Sequence, residues 1–179
     1  FVKSCHGGYD GRSQVRVATP EECPDAWRAL GERHAVAEQA LELEMEISVM
    51  VARRPSGETV AYTPALNHHT NQVLSWSVLP APVPDALAAR ADEIALGIAR
   101  AMELEGLLGV EMFCTRTGEL FVNELAPRPH NSYHASERAC PTGQFEQLVR
   151  AVCDLPLGDV RIVEPVAIVN LFGDLWTGG

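Results

Sequence analysis

Between residues 45 and 51 the chain alternates, Met45, Ile47, Val49 and Val51 against Glu46, Ser48 and Met50, the two-residue period of a strand with one apolar face. Glu46 points away from that face. Pro55-Ser56-Gly57 reads as a turn into a strand from Glu58 to Tyr62, a hairpin, and Val73 to Leu79 supplies a further strand before Pro80, Pro82 and Pro84 mark its exit. Leu87, Ala91, Ile94, Ile98 and Met102 recur at helical spacing and predict a long helix from Asp85 to about Met102, one stripe packed on a sheet. Val110 to Thr115 and Glu119 to Leu125 flank Arg116-Thr117-Gly118 as a second hairpin. Phe145, Leu148, Val149 and Val152 outline another helix capped by Thr142, and Pro165 to Phe172 reads as a buried final strand.

Upstream, Phe1 to Ser4 reads as a strand that runs into a loop, Cys5 to Gln14, whose glycines permit φ > 0 and close backbone approach to a ligand. Val15 and Val17 resume the alternation. Thr19-Pro20-Glu21-Glu22 then reads as a helix start, with Thr19 as cap and Glu22 completing a capping box; the helix runs to about Leu30 and Gly31 ends it. A second short apolar run spans Ala35 to Leu41. Hairpins separated by helices imply an α+β fold, an antiparallel sheet with helices packed on one face.

The net charge of -10 and the lack of a Lys/Arg run exclude nucleic acid and membrane surfaces as natural partners, because nothing neutralises rows of phosphate; small molecules are the expected ligands. No apolar stretch approaches the ~20 residues that span a bilayer, and the cytoplasm is the expected setting. Five scattered cysteines without a C-x-x-C pair fit reduced thiols, most of them expected in the core. The chain opens inside a strand, so a piece of a longer protein is expected.

Three segments carry chemistry. The glycine loop can turn backbone N–H groups toward phosphate oxygens with Lys3 just upstream; read by itself it is equally a tight glycine-rich turn, and it is neither a Walker A loop nor a dinucleotide turn. Glu111 and Glu124 lie on the two arms of the second hairpin, where a suitable register opposes them. Like charges that close need a cation, and two carboxylates beside the amide of Asn123 are hard oxygen ligands that suit Mg²⁺ completed by nucleotide phosphates rather than zinc. The alternative is two solvated glutamates, which the apolar neighbours Phe121 and Val122, expected to be buried, argue against. Arg128, His130, Asn131 and Ser132 follow in a loop stiffened by Pro127 and Pro129, suited to an anionic substrate, or to a plain polar connection whose Arg pairs with a carboxylate.

Taken together, Lys3 with Gly7 to Gln14, Glu38 to Leu41, Glu46 to Val49, Asn67-His68-His69, Gly109 to Phe113, Asn123 to Ser132 with His134, Gln144 to Gln147 and Pro156 to Gly158 resemble the ATP-grasp enzymes, specifically the N5-carboxyaminoimidazole ribonucleotide synthetase family. The Ala-Pro-Arg-Pro-His-Asn-Ser run is the specific part. The resemblance implies an ATP-grasp fold, with residues 1–37 in a lid subdomain and 38–179 in the catalytic subdomain. It also implies a magnesium-dependent, homodimeric ligase of purine biosynthesis that uses ATP to join bicarbonate to 5-aminoimidazole ribonucleotide, releasing ADP and phosphate. By the same likeness ATP is held by Lys3, by Gly8, Tyr9, Asp10, Gly11 and Gln14 of the lid, by Glu38, Gln39, Ala40 and Leu41 at the adenine, by Glu46 at the ribose, and by His69, Asn123 and Glu124. Glu111 and Glu124 are the implied metal ligands, Arg128, His130 and Asn131 the implied catalytic residues, and Tyr9 and Ser132 join those three at the substrate.

The chain departs from the family pattern at three positions: Ser13 stiffens the lid, Leu66 removes a polar group near the nucleotide, and Tyr133 adds bulk close to the substrate pocket. The family's preceding domain, which completes that pocket, is not represented, so the chain by itself is expected to turn over poorly. The competing readings are a sister ligase such as the formate-dependent glycinamide ribonucleotide transformylase, disfavoured by Asn131, a nucleotide-binding module without turnover, and a ligand-free structural domain.

Overall fold

A computed structural model describes residues 1–7 and 13–173. The chain divides into two compact units, one from Phe1 to Glu42 with Asn71–Val73, the other comprising Leu43–Thr70 and Leu74–Gly179.

The first unit holds β1 (Val2–Ser4), β2 (Gln14–Val15), α1 (Cys23–Ala29) and β3 (Ala35–Ala37). Its small sheet has the order β2-β1-β3, both pairs antiparallel, with Lys3 opposite Gln14 on one side and Val36 on the other. The predicted helix is present but enters through a 3-10 turn at Pro20–Glu22, and Thr19 makes no side-chain cap. The expected box does not form: Glu22 Oε2 accepts from the N–H of Ala18, one residue before the cap, at 2.8 Å. Gly31 ends the helix at φ 78°, a left-handed conformation that costs glycine little.

The second unit is built on a sheet of β4 (Leu43–Arg53), β5 (Thr59–Ala61), β6 (Ala65–Thr70), β7 (Val73–Leu79), β8 (Gly106–Thr115), β9 (Leu120–Ala126) and β10 (Val166–Val169). The order is β10-β7-β6-β4-β8-β9, with β5 paired to β4. On one face Ile47, Val49 and Val51 of β4 and Leu108, Val110 and Met112 of β8 meet Ala91, Ala95 and Ala99 of α2 (Asp85–Ala101). These alanines let the helix axis approach the sheet closely. On the opposite face Met50, Ala52 and Leu107 are covered by Tyr133, Ala139 and Cys140, from the 3-10 turn Asn131–Tyr133 and the end of α3 (Ser136–Ala139), with α4 (Gln144–Val152) beside them. The α+β class and antiparallel sheet are as expected; the helices are divided between both faces, because β4 is apolar on both of its sides from Val49 onward.

Several local expectations are corrected. Thr142 does not cap α4: Gly143 holds the cap position, and Thr142 is buried with its carbonyl accepting from Tyr62 Oη at 3.0 Å. The final strand is a partly exposed edge, not a buried strand, with Val169 67% and Leu171 65% exposed. Phe121 and Val122 are also largely exposed. Of the five cysteines, all free, only Cys114 and Cys140 are buried.

Candidate functional site

The face of β4 that carries Met50 and Ala52 turns polar toward the start of the strand, at Ser48 and Glu46. The register extends this change sideways. Ser48 lies opposite Glu111 of β8, Glu111 opposite Glu124 of β9, and Glu46 opposite Asn67 of β6. Directly opposed residues of antiparallel strands project to the same side, so the two acids share one face. Between the Glu111–Glu124 and Met112–Val122 pairs the register slips by one, leaving Asn123 as an extra residue in a bulge. That slip sets its amide near Glu111, whose carboxyl it helps to hold in the charged form.

Glu111 is the most enclosed acid of the group, its side chain 14% exposed. Burial pushes its carboxyl up. The nearby His130, His69 and Asn123 oppose this, and the balance lies below the ordinary carboxylate value. His130 Nε2 stands 3.2 Å from Glu111 Oε1. Its backbone is clamped by the buried Gln144: His130 N donates to Oε1 at 2.8 Å and Nε2 donates to His130 O at 3.0 Å. Gly109 of β8 makes room for the ring, since a Cβ there would stand 3.2 Å from His130 Cβ. His69 Nδ1 pairs with Glu46 Oε2 at 2.9 Å, and this contact holds its pKa above the ordinary value against burial.

The second unit thus gathers Glu46, His69, Glu111, Asn123, Glu124, His130 and Ser132. Arg128 is exposed and donates only to the neighbouring Pro129 carbonyl at 3.1 Å, so it makes no ion pair with these acids. Asn131 Oδ1 is buried without a hydrogen-bond partner among the described residues. In the first unit Lys3 Nζ pairs with Glu38 Oε2 at 2.5 Å, and Glu38 to Leu41 continue beyond β3 outside any regular element. Gln14 pairs with Lys3 in the sheet; Gly8, Tyr9, Asp10 and Gly11 lie outside the described residues.

Two departures prove harmless to this face. Tyr133 does not crowd a pocket: it is fully buried, its hydroxyl 2.8 Å from Ser48 O and 2.9 Å from Thr63 O. Leu66 packs on the α2 core, on the other side of β6 from Asn67 and His69. Sequence reasoning missed the roles of Ser48, Asn67 and Ser77, which are buried and mutually hydrogen-bonded. The strand patterns carry no signal for them: Ser48 falls on the side opposite the apolar stripe of β4, and Asn67 lies in a strand without apolar alternation.

Chemically, two carboxylates with an adjoining amide offer oxygen donors of the kind a hard divalent cation takes, with its other ligands left to water or phosphate. Among the described residues no cluster of three or more His, Cys, Asp or Glu is placed to hold a metal by itself. Among the described residues no helix is long and apolar enough to cross a membrane.

Comparison with known proteins agrees with this architecture. The N5-carboxyaminoimidazole ribonucleotide synthase of Bacillus subtilis (strain 168) is 43% identical over 173 residues, 97% of this chain and 46% of that protein. A crystal structure of the ADP complex of purK, N5-carboxyaminoimidazole ribonucleotide synthetase, matches with a TM-score of 0.90 at 42% identity, over 96% of this chain and 46% of that one. The Aspergillus clavatus synthase in complex with ADP and 5-aminoimidazole ribonucleotide gives 0.87 at 29% identity, over 96% and 45%. The chain spans about half the length of these relatives. The ATP-grasp domain family matches residues 1–145, from β1 into α4, and the chain belongs to the ATP-grasp family.

Proposed function

We propose that this chain is the nucleotide- and metal-holding portion of an ATP-dependent carbon–nitrogen ligase, one that carboxylates 5-aminoimidazole ribonucleotide with bicarbonate and releases ADP and phosphate in purine biosynthesis. One observation carries the reading: Glu111 faces Glu124 across adjacent strands, with Asn123 in the bulge between them and His130 Nε2 3.2 Å from Glu111. The names and bound ligands of relatives at 29% to 43% identity support the substrates.

In this proposal Glu111 and Glu124, with Asn123 beside them, hold Mg²⁺; their oxygen donors fit that ion, which when bound neutralises phosphate charge. Lys3 and the loop with Gly8, Tyr9, Asp10, Gly11 and Gln14 serve the phosphates, Glu38 to Leu41 the adenine, and Glu46 with His69 the ribose side of ATP. Arg128, His130, Asn131 and Ser132, together with Tyr9, serve the anionic substrates. The unpartnered Asn131 oxygen calls for a donor, which the amine of 5-aminoimidazole ribonucleotide would supply. Bicarbonate is a poor electrophile, so the residues' task is to orient it beside the γ-phosphate and keep water out while the activated carboxyl is passed to the amine. Residues 1–37 as a lid subdomain, 38–179 as the catalytic subdomain, a homodimer and a cytoplasmic setting belong to the same proposal.

The test is Mg-ATP binding by calorimetry. Glu124→Gln, on an exposed position of β9, keeps the fold and is expected to weaken binding about tenfold or more. Equal affinity would overturn the metal assignment. Bicarbonate-dependent phosphate release by the full-length protein then separates a ligase from a module that only binds.

A further inference from the structure

Behind His130 runs a line of buried hydroxyls and one amide. Ser77 Oγ donates to Asn67 Oδ1 at 2.9 Å, with Ser132 O a longer second acceptor at 3.3 Å, and Asn67 Nδ2 donates to Ser48 Oγ at 3.0 Å. The Ser48 and Ser132 hydroxyls are 2.9 Å apart, and Ser132 Oγ lies 2.8 Å from His130 Nδ1. Beyond the ring, Nε2 faces Glu111 Oε1.

The sense of this line is determined by counting protons. A hydroxyl donates once. Ser48 already accepts from Asn67, so its own proton finds an acceptor only at Ser132, and the Ser132 proton then goes to His130 Nδ1. The ring proton is left on Nε2, pointing at a carboxylate that can only accept. In the opposite sense, with the ring proton on Nδ1, two acceptors would face each other at Nε2 and Glu111, a contact that buried polar atoms avoid.

We propose that Ser77, Asn67, Ser48 and Ser132 are positioning residues: a one-way chain of hydrogen bonds that keeps the His130 ring proton on Nε2 and so fixes Glu111 in the orientation it needs for the cation shared with Glu124. This rests on the metal role proposed above for Glu111. Partners behind a metal ligand commonly alter metal affinity 10- to 100-fold, so the effect belongs to binding as well as geometry.

The experiment uses full-length protein labelled with ¹⁵N-histidine, reading the His130 tautomer by long-range proton–nitrogen correlation and the affinity for Mn²⁺ in the presence of ATP by electron paramagnetic resonance. Wild type is expected to show the proton on Nε2. Asn67→Asp accepts but cannot donate, which reverses the chain; it is expected to move the ring proton off Nε2 and to weaken Mn²⁺ binding about tenfold. Ser132→Ala, which takes the donor away from Nδ1 and leaves the ring proton on Nε2, is expected to loosen the ring and weaken Mn²⁺ binding about tenfold, and Ser132→Thr, which keeps the hydroxyl, to restore the affinity; this pair serves should Asn67→Asp not fold. A wild-type proton on Nδ1, or a changed tautomer with unchanged Mn²⁺ affinity, overturns the inference. If wild type binds no Mn²⁺ with ATP, the metal reading itself has failed and the inference falls with it; an Nδ1 proton on a protein that binds the ion defeats the chain alone.

Discussion

Glu46 and His69 form an ion pair on neighbouring strands, at the polar end of a face whose other end is closed by Met50 and Ala52. Because the hydrogen bond to Glu46 raises the His69 pKa, the folded chain binds that proton more tightly than the unfolded one. The pair therefore stabilises the fold fully below the unfolded value, about 6.5, and the contribution fades as pH rises through the folded value. Glu46→Gln is expected to cost about 0.5 to 1 kcal/mol at pH 6 in urea titrations and little at pH 9, the range for a half-buried pair. Individual chemistry was partly legible at this scale. Glu111, Asn123, Glu124 and His130 stand out by type and spacing, and they do meet. The exposed Arg128, assigned above to the anionic substrates, pairs with none of these acids, and residue type and spacing do not say which way a loop side chain leaves the backbone.

At the level of elements, α2 was readable from its period alone, because a helix that packs one stripe on a sheet must repeat its apolar residues every three or four positions. It also carries a strained acid. Burial pushes the Asp92 carboxyl up to about 6, and its Oδ1 has no partner among the described residues. The raised value means that its contribution to stability is lost as pH climbs from about 4 to 6. Asp92→Asn is accordingly expected to gain about 1 kcal/mol at pH 7.5 and nothing below pH 4, measured as thermal midpoints across that range. Near α4, a Cβ at Gly158 would stand 2.7 Å from Thr142 Cβ, so Gly158→Ala is expected to destabilise by about 2 kcal/mol in the same assay. β6 escaped sequence reading altogether. Ala65 to Thr70 shows no apolar alternation, since the side that bears Asn67 and His69 is the site itself.

Across the whole molecule, burial is uneven. Among the described residues the second unit contains both apolar clusters, whereas the first contributes only Val2 and Ala26 to the buried apolar residues. Hydrogen exchange should follow this difference, with amides of β4 and β8 protected roughly a hundredfold more than those of β1 and β3. Comparable protection in the two sets would show that the small sheet draws stability from elsewhere. The sequence by itself determined the class of fold, the hairpins, the long helix and the acids that answer each other across β8 and β9, because periodicity and turn residues are local and a hairpin fixes its own partner. Only the tertiary structure decided that helices cover both faces, that Tyr133 and Leu66 belong to the core, and that Ser48, Asn67 and Ser77 line up behind His130. These depend on strands far apart in the chain being brought side by side in a particular register, and register between distant strands leaves no local trace in the order of residues.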